Sequence, residues 1–124
     1  NDAINILDAK IVNLAINFTA VAALGVNKFE VLTSATEALQ AFYSRKLEIG
    51  EPFYISDVYS QLNKLNGIVD VTRVNITHKS GENYSSTAFD VNEMTSDDGM
   101  YINAPDNVVF EVKFPSIDIK GTIK

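Results

Sequence analysis

The sequence contains no cysteine, which excludes disulfide bonds, zinc sites built on thiolates and catalysis by a cysteine nucleophile. It also contains one histidine, His78, on which any histidine-based acid–base mechanism would depend. His78 ends a predicted strand beside a turn, where we expect a solvated side chain. One histidine without cysteine does not predict a zinc site.

Basic residues are scarce, with 10 lysines and arginines against 16 acidic residues and a formal charge of −6. Only Arg45 and Lys46 are adjacent, so no basic patch predicts nucleic acid or an anionic membrane as a partner. The longest apolar stretch, residues 14–26, is interrupted by Asn17 and Thr19 and is too short for a transmembrane helix. The sequence begins at Asn1 without the charged segment that is typical of the start of a signal peptide.

The acidic residues predict no reaction chemistry. Three aspartates in a turn-rich segment could offer oxygen ligands to calcium, but without EF-hand spacing they are typical turn formers: Asp97, Asp98 and Asp106. Glu48 and Glu51 lie in a connector that fixes no geometry for glycosidase chemistry. The glycines are dispersed and form no nucleotide-binding motif. We therefore predict no catalytic, cofactor-binding or metal-binding residue, no cofactor and no enzymatic activity.

Hydrophobic periodicity predicts a strand followed by two helices. Residues 12–22 alternate between apolar and polar positions, as a strand with one buried face does. Asn27 and Glu30 have capping-box spacing and predict a helix over residues 28–46. After a connector, Ser56 is the predicted N-cap of a shorter helix that ends near Gly67.

The rest of the chain predicts strands. Residues 68–79 have a break in alternation that a bulge near Arg73 would explain, and residues 84–91 are the predicted partner strand. Further strands are predicted at residues 100–102, 108–114 and 117–123. We expect a single α+β domain over residues 1–124, with two helices packed on one face of a mainly antiparallel sheet, in the order strand-helix-helix-strand followed by further strands.

A family resemblance lies in the order of short segments. Residues 45–47 (Arg-Lys-Leu) are followed by Ile-Gly-Glu-Pro at 49–52, then by Tyr-Ile-Ser-Asp-Val-Tyr at 54–59. Leu-Asn-Gly-Ile-Val-Asp-Val at 65–71 leads into the next strand. This order resembles the C-terminal region of baseplate J-like proteins. Residues 103–121 further resemble the large baseplate wedge protein of contractile-tailed bacteriophages (myoviruses).

The resemblance implies a structural protein of the virion, expressed late and assembled in the host cytoplasm into the contractile tail. It implies wedge assembly around the tail hub through a homodimer and other baseplate wedge subunits. The chain would be a C-terminal fragment of a larger wedge protein, and no site residue is implied. Such a domain should expose an apolar or tyrosine-bearing patch of interface size, about 1,600 Å² in total. The strands predicted at 108–114 and 117–123 could pair across an interface.

The five tyrosines leave two interpretations open. Tyrosine is favoured at interfaces, but Tyr43 and Tyr59 would also complete a helix–sheet core. Together with the asparagine and threonine content, the tyrosines suggest an alternative function as a carbohydrate-binding or adhesin-like module. That module would have an aromatic groove, with calcium near Asp97 and Asp98.

Overall fold

A computed structural model of the chain describes residues 9–124. The described residues form six strands and four helices, which confirms the predicted mixture of helix and strand. Along the chain these are β1 (Lys10–Ala22), α1 (Lys28–Phe42), β2 (Phe53–Tyr54), α2 (Ile55–Asn63), β3 (Ile68–Lys79), α3 (Val91–Met94), β4 (Tyr101–Ile102), β5 (Val108–Glu111), α4 (Pro115–Asp118) and β6 (Ile119–Ile123). A single domain over residues 1–124 stays a prediction, because residues 1–8 lie outside the described residues.

Strand β1 is the centre of the main sheet. It pairs antiparallel with β3 on one side and parallel with β5 and β6 on the other. β5 lies beside residues 10–13 of β1 and β6 beside residues 16–20, so the two short strands form successive parts of one edge. The mainly antiparallel sheet that we expected is therefore a mixed sheet. The reason is the long crossover after β3. It returns the chain to β1 so that β5 and β6 run in the same direction as β1.

Both long helices contribute to a core on one face of β1. On this face the buried side chains of β1 are the alternating apolar residues Val12, Leu14, Ile16, Phe18 and Ala20. They belong to one cluster with Ala35 and Leu39 of α1 and with Val58 and Leu62 of α2. Burying each large side chain contributes about 1.5–3 kcal/mol relative to leaving it in water. The alternation predicted for β1 thus decides which face the helices cover.

Helix α1 begins where the sequence predicted and ends earlier. The Asn27 side chain accepts hydrogen bonds from the backbone N–H groups of Phe29 (2.9 Å) and Glu30 (3.2 Å), which caps the helix. The helix ends at Phe42 rather than at Lys46. Tyr43 is the C-cap residue and stacks on Phe53 with ring centroids 5.3 Å apart, where the chain enters the connector.

The start of α2 corrects the sequence prediction. The N-cap is Tyr54, without a side-chain hydrogen bond, and Ser56 lies inside the helix. The extended chain continues to Tyr54 because β2 pairs with β4, and the Ser56 N–H donates to the Met100 carbonyl (3.1 Å). The helix ends at Asn63, four residues before Gly67, so Gly67 is not its C′ residue. Gly67 does have the positive φ that we predicted, 92°, which a side chain would disfavour.

The predicted bulge in β3 is confirmed. Thr19 pairs with Arg73 and Ala20 pairs with Val71, which leaves Thr72 as the extra residue. The partner strand predicted at residues 84–91 is wrong: residues 84–90 are irregular and lead into α3, which Asp90 caps. Pro115 begins the short helix α4, so the strand predicted at 108–114 stops at Glu111. No helix within residues 9–124 has both the length and the apolar character needed to cross a membrane.

Candidate functional site

His78 is not the solvated strand-end residue that we expected. It pairs with Leu14 in the β1–β3 register, and its side chain is half-buried. Its Nε2 atom is buried and has no hydrogen-bond partner among residues 9–124. Without a serine or carboxylate bonded to that nitrogen, the described residues assemble no histidine-based triad.

The aspartates predicted as turn formers have that role. The Asp98 carboxylate accepts hydrogen bonds from the Ser96 hydroxyl (2.6 Å) and the Met100 N–H (3.0 Å), and these bonds hold the pKa of Asp98 below its ordinary value. In the part of the chain that the structure describes, no three histidine, aspartate or glutamate residues lie close enough to hold a metal ion. Asp97, Asp98 and Asp106 therefore do not meet at a calcium site.

The two glutamates of the connector fold it rather than form a reactive pair. The Glu51 carboxylate accepts a hydrogen bond from the Glu48 N–H (2.9 Å). Its other oxygen lies 3.4 Å from the Arg45 guanidinium. An ion pair at this exposure contributes no more than about 1 kcal/mol. The connector is a closed turn, and Glu48 contributes its backbone instead of its carboxylate.

Four exposed apolar side chains lie in segments at one end of the main sheet. We define this apolar tip as Leu24 and Val26 in the β1–α1 loop, Phe29 in the first turn of α1, and Val69 at the start of β3. Leu24 is 101% exposed, Phe29 76% and Val69 63%. The Ala23 N–H donates to the Gly67 carbonyl (2.8 Å), which holds the loop beside the start of β3. Exposed apolar side chains that come together in one patch are typical of interaction surfaces.

A second exposed patch is aromatic. Tyr54 and Tyr101 are cross-strand neighbours in the β2–β4 ribbon, with ring centroids 6.1 Å apart, and we call them the tyrosine pair. Both are exposed, and Met100 beside them is exposed as well. Tyr43 and Tyr59 instead pack in or against the core, as the second interpretation of the tyrosines predicted.

Polar side chains on the other face of the sheet hold the chain that follows β3. Asn13 is 1% exposed, accepts a hydrogen bond from the Ser85 N–H (2.7 Å) and donates to a Glu111 carboxylate oxygen (2.8 Å). The Tyr84 hydroxyl donates to the buried Asp118 carboxylate, with its oxygens at 2.9 and 3.0 Å. Burial, and then this hydrogen bond and charge, raise the pKa of Tyr84. This role of Asn13 could not be predicted from the sequence, because Asn13 and the exposed Asn17 have equivalent positions in the alternation of β1.

The described residues thus form exposed surfaces and closed turns. Within them, the histidine, aspartate and glutamate side chains considered above do not come together in one site. In comparisons with known proteins, no family model matches this sequence, and no curated protein sequence matches it significantly.

Proposed function

We propose that this chain is an assembly domain of the baseplate of a contractile-tailed bacteriophage, and that it works through protein–protein contacts. The observation that carries the proposal is the apolar tip, where Leu24 and Phe29 are held in water. Burying apolar surface in an interface is favourable by about 25 cal/mol per Å². A partner that covers the tip would therefore gain most of its affinity from these side chains.

The segments behind the family resemblance support the proposal through their structural roles. Gly50 has a φ of 79° and Gly67 a φ of 92°, so each allows a turn that a side chain would strain. Between them α2 packs Val58 and Leu62 into the core. In this proposal β2 is a short interruption of the predicted order strand, helix, helix, strand. The two helices form one layer that positions the tip beside the sheet.

In this proposal the chain forms a homodimer through the apolar tip and contacts other baseplate wedge subunits in the virion. A C2 dimer uses the same patch on both copies, so Phe29 and Leu24 of one copy would cover those of the other. Such a contact excludes water from side chains that are otherwise largely exposed. Ring closure around the tail hub would then come from contacts of these dimers with neighbouring subunits.

Removing the apolar side chains of the tip should weaken self-association. We expect light scattering across a concentration series to give a mass of about twice 13.6 kDa for the unaltered chain. Leu24→Ser combined with Phe29→Ser should raise the dimer dissociation constant by at least about tenfold, which corresponds to about 1.4 kcal/mol. The matched control is Ile117→Ser, since Ile117 is 57% exposed but lies outside the tip.

A chain that stays monomeric at every concentration would contradict the homodimer. The baseplate assignment has its own test, which is mass spectrometry of purified contractile-tailed particles produced by a host that carries the gene. Peptides of this chain should copurify with the tails at a constant ratio to the other wedge subunits. Their absence from intact particles would contradict the proposed role.

The tyrosine pair favours a second candidate function, carbohydrate binding. Exposed aromatic rings offer apolar faces against which the C–H faces of a sugar can pack, and their hydroxyls offer hydrogen bonds. We expect Tyr101→Ala to abolish the binding of simple methyl glycosides, measured by amide chemical-shift changes around Met100 and Tyr54. Phe29→Ala, which removes an exposed ring elsewhere, should leave the binding unchanged. No shift change in the unaltered chain at high glycoside concentration would eliminate this candidate.

A further inference from the structure

The sheet face opposite the two long helices carries a cleft, which we call the polar cleft. Its volume is about 300 Å³, and it is lined by residues of β1, β3 and β6. Six polar residues contribute to its lining: Asn17, Thr19, Arg73, Asn75, Lys120 and Thr122. Five of the six are exposed and Thr19 is half-buried, so a ligand can reach the cleft directly from solvent.

The register of the sheet arranges these six side chains as a regular grid. Each of its two rows takes one residue from β3, one from β1 and one from β6, in that order: Arg73, Thr19 and Thr122 in one row, and Asn75, Asn17 and Lys120 in the other. All six lie opposite the core, because Asn17 and Thr19 alternate with the buried residues of β1 and paired residues share a face. No apolar side chain belongs to the grid.

The bulge in β3 makes this grid compatible with the core. Val71 is 8% exposed and packs with the core residues, whereas Arg73 pairs with Thr19 on the opposite face. Strict alternation would place residues 71 and 73 on the same face of the sheet. The extra residue, Thr72, separates them, so that Arg73 lies in the polar cleft while Val71 stays buried.

The polar groups of the cleft are not used to hold the fold together. In residues 9–124, none of the six side chains forms a hydrogen bond with another protein group, and Arg73 and Lys120 form no ion pair. Asn13 lies on the same face but has both its donor and its acceptor engaged. The polar cleft therefore offers free donors, free acceptors and two free positive charges.

These charges suit a ligand with two negative charges. Arg73 and Lys120 line the cleft without an acidic residue, and Asp70, earlier in β3, lies outside the lining. The two cations occupy opposite corners of the grid, where strand spacing and rise place their Cα atoms about 12 Å apart. Both side chains are long and flexible, so their charged ends can approach one group over the centre. A phosphate monoester carries nearly two negative charges at neutral pH and accepts hydrogen bonds from both residue types.

We propose that the polar cleft binds a small phosphate monoester with a hydroxylated body, such as a sugar phosphate. Arg73 and Lys120 hold the phosphate, while the Asn17 and Asn75 amides and the threonine hydroxyls bond to the hydroxyl groups of the ligand. An apolar ligand would gain little here, because no apolar side chain projects into the cleft. Small-molecule sites occupy about 300–1,000 Å³, and the polar cleft falls at the lower end of that range.

The inference does not depend on the proposed function, because the grid shares no residue with the apolar tip or the tyrosine pair. The test is a titration of the full chain, labelled with ¹⁵N, with glucose 6-phosphate. We expect saturable shift changes at the side-chain amides of Asn17 and Asn75, and none at the engaged side-chain amide of Asn13. Neutral glucose should cause no saturable change. Inorganic phosphate, which lacks the hydroxylated body, should bind about tenfold more weakly.

Charge removal locates the phosphate. Arg73→Gln and Lys120→Gln should each weaken the binding of glucose 6-phosphate by about tenfold. Lys64→Gln, which changes an exposed lysine outside the cleft, should leave it unchanged. All three side chains are exposed, so these variants should fold like the unaltered chain.

Four results would overturn the proposal. Absence of shift changes at millimolar glucose 6-phosphate would mean that the cleft is only a solvated face of the sheet. Equal binding of glucose would remove the role of the two cations, and equal weakening by Lys64→Gln would mean that the charge effect is not local. Equal binding of inorganic phosphate would show a site for a bare oxyanion instead of a sugar phosphate.

Discussion

Replacing Gly121 with alanine should lower the free energy of unfolding by about 3 kcal/mol, at the upper end of the cost of overpacking a core. Gly121 lies opposite Phe18 in the parallel β1–β6 register. A Cβ atom at Gly121 would lie 2.5 Å from two carbons of the Phe18 ring and closer still to a third. Phe18 is only 3% exposed, so its ring is enclosed by neighbouring groups and could move only by disturbing their packing. Urea unfolding monitored by circular dichroism would measure the loss as a lower midpoint.

Two companion variants separate this clash from a general effect on β6. Thr122→Ala changes the next, exposed residue of the same strand and should alter stability by less than about 0.5 kcal/mol. In a Phe18→Leu background, Gly121→Ala should cost clearly less, because the smaller side chain leaves room for the new methyl group. An equal cost in both backgrounds would show that the Phe18 ring is not the cause.

The elements that sequence reasoning predicted correctly depend on local patterns. The alternation of β1 follows from the pleat of any strand with one buried face. Asn27 caps α1 through bonds to residues two and three positions later, and Gly67 adopts its positive φ within a single turn. Each of these features needs only nearby residues, so the sequence contains enough information to predict it.

The failures depend on contacts between distant parts of the chain. Residues 84–91 were predicted as the strand that returns beside residues 68–79, but the Ser85 N–H bonds to the side chain of Asn13, 72 residues away. Tyr54 rather than Ser56 precedes α2 because β2 pairs with β4, a pairing that no local pattern indicates. The parallel direction of β5 and β6 likewise depends on the path of the crossover.

The candidate surfaces were hidden from the sequence for the same reason. An exposed patch was expected only in general terms, and nothing in the spacing of Leu24, Phe29 and Val69 distinguishes them from core residues. They are exposed because they lie at the end of the sheet, where none of the described elements covers them. The tyrosine pair exists only through the β2–β4 register. Hydrophobic periodicity predicts which residues share one face of a helix or strand. It does not predict whether another element packs on that face.

Asn13 and Asn17 offer the sharpest test of this point, because the sequence treats them alike and the structure does not. Asn13→Ala should cost about 2 kcal/mol of unfolding free energy, since it removes the acceptor of the Ser85 N–H and the donor to Glu111 from a buried site. Asn17→Ala, on the same face of the same strand but exposed, should cost less than about 0.5 kcal/mol.

Hydrogen exchange of the Asn13→Ala variant should then show which part of the protein is destabilised. If Asn13 fastens the segment after β3 to the sheet, exchange should accelerate first at the Ser85 amide and its neighbours, while the amides in the middle of β1 stay protected. The Tyr84–Asp118 hydrogen bond would hold the segment at a second point, so the chain should loosen there without unfolding as a whole. Uniform acceleration across β1 and β3 would instead mean that Asn13 stabilises the sheet itself. In that case the crossover would be held by its apolar contacts, such as the edge-to-face packing of Phe89 on Phe110.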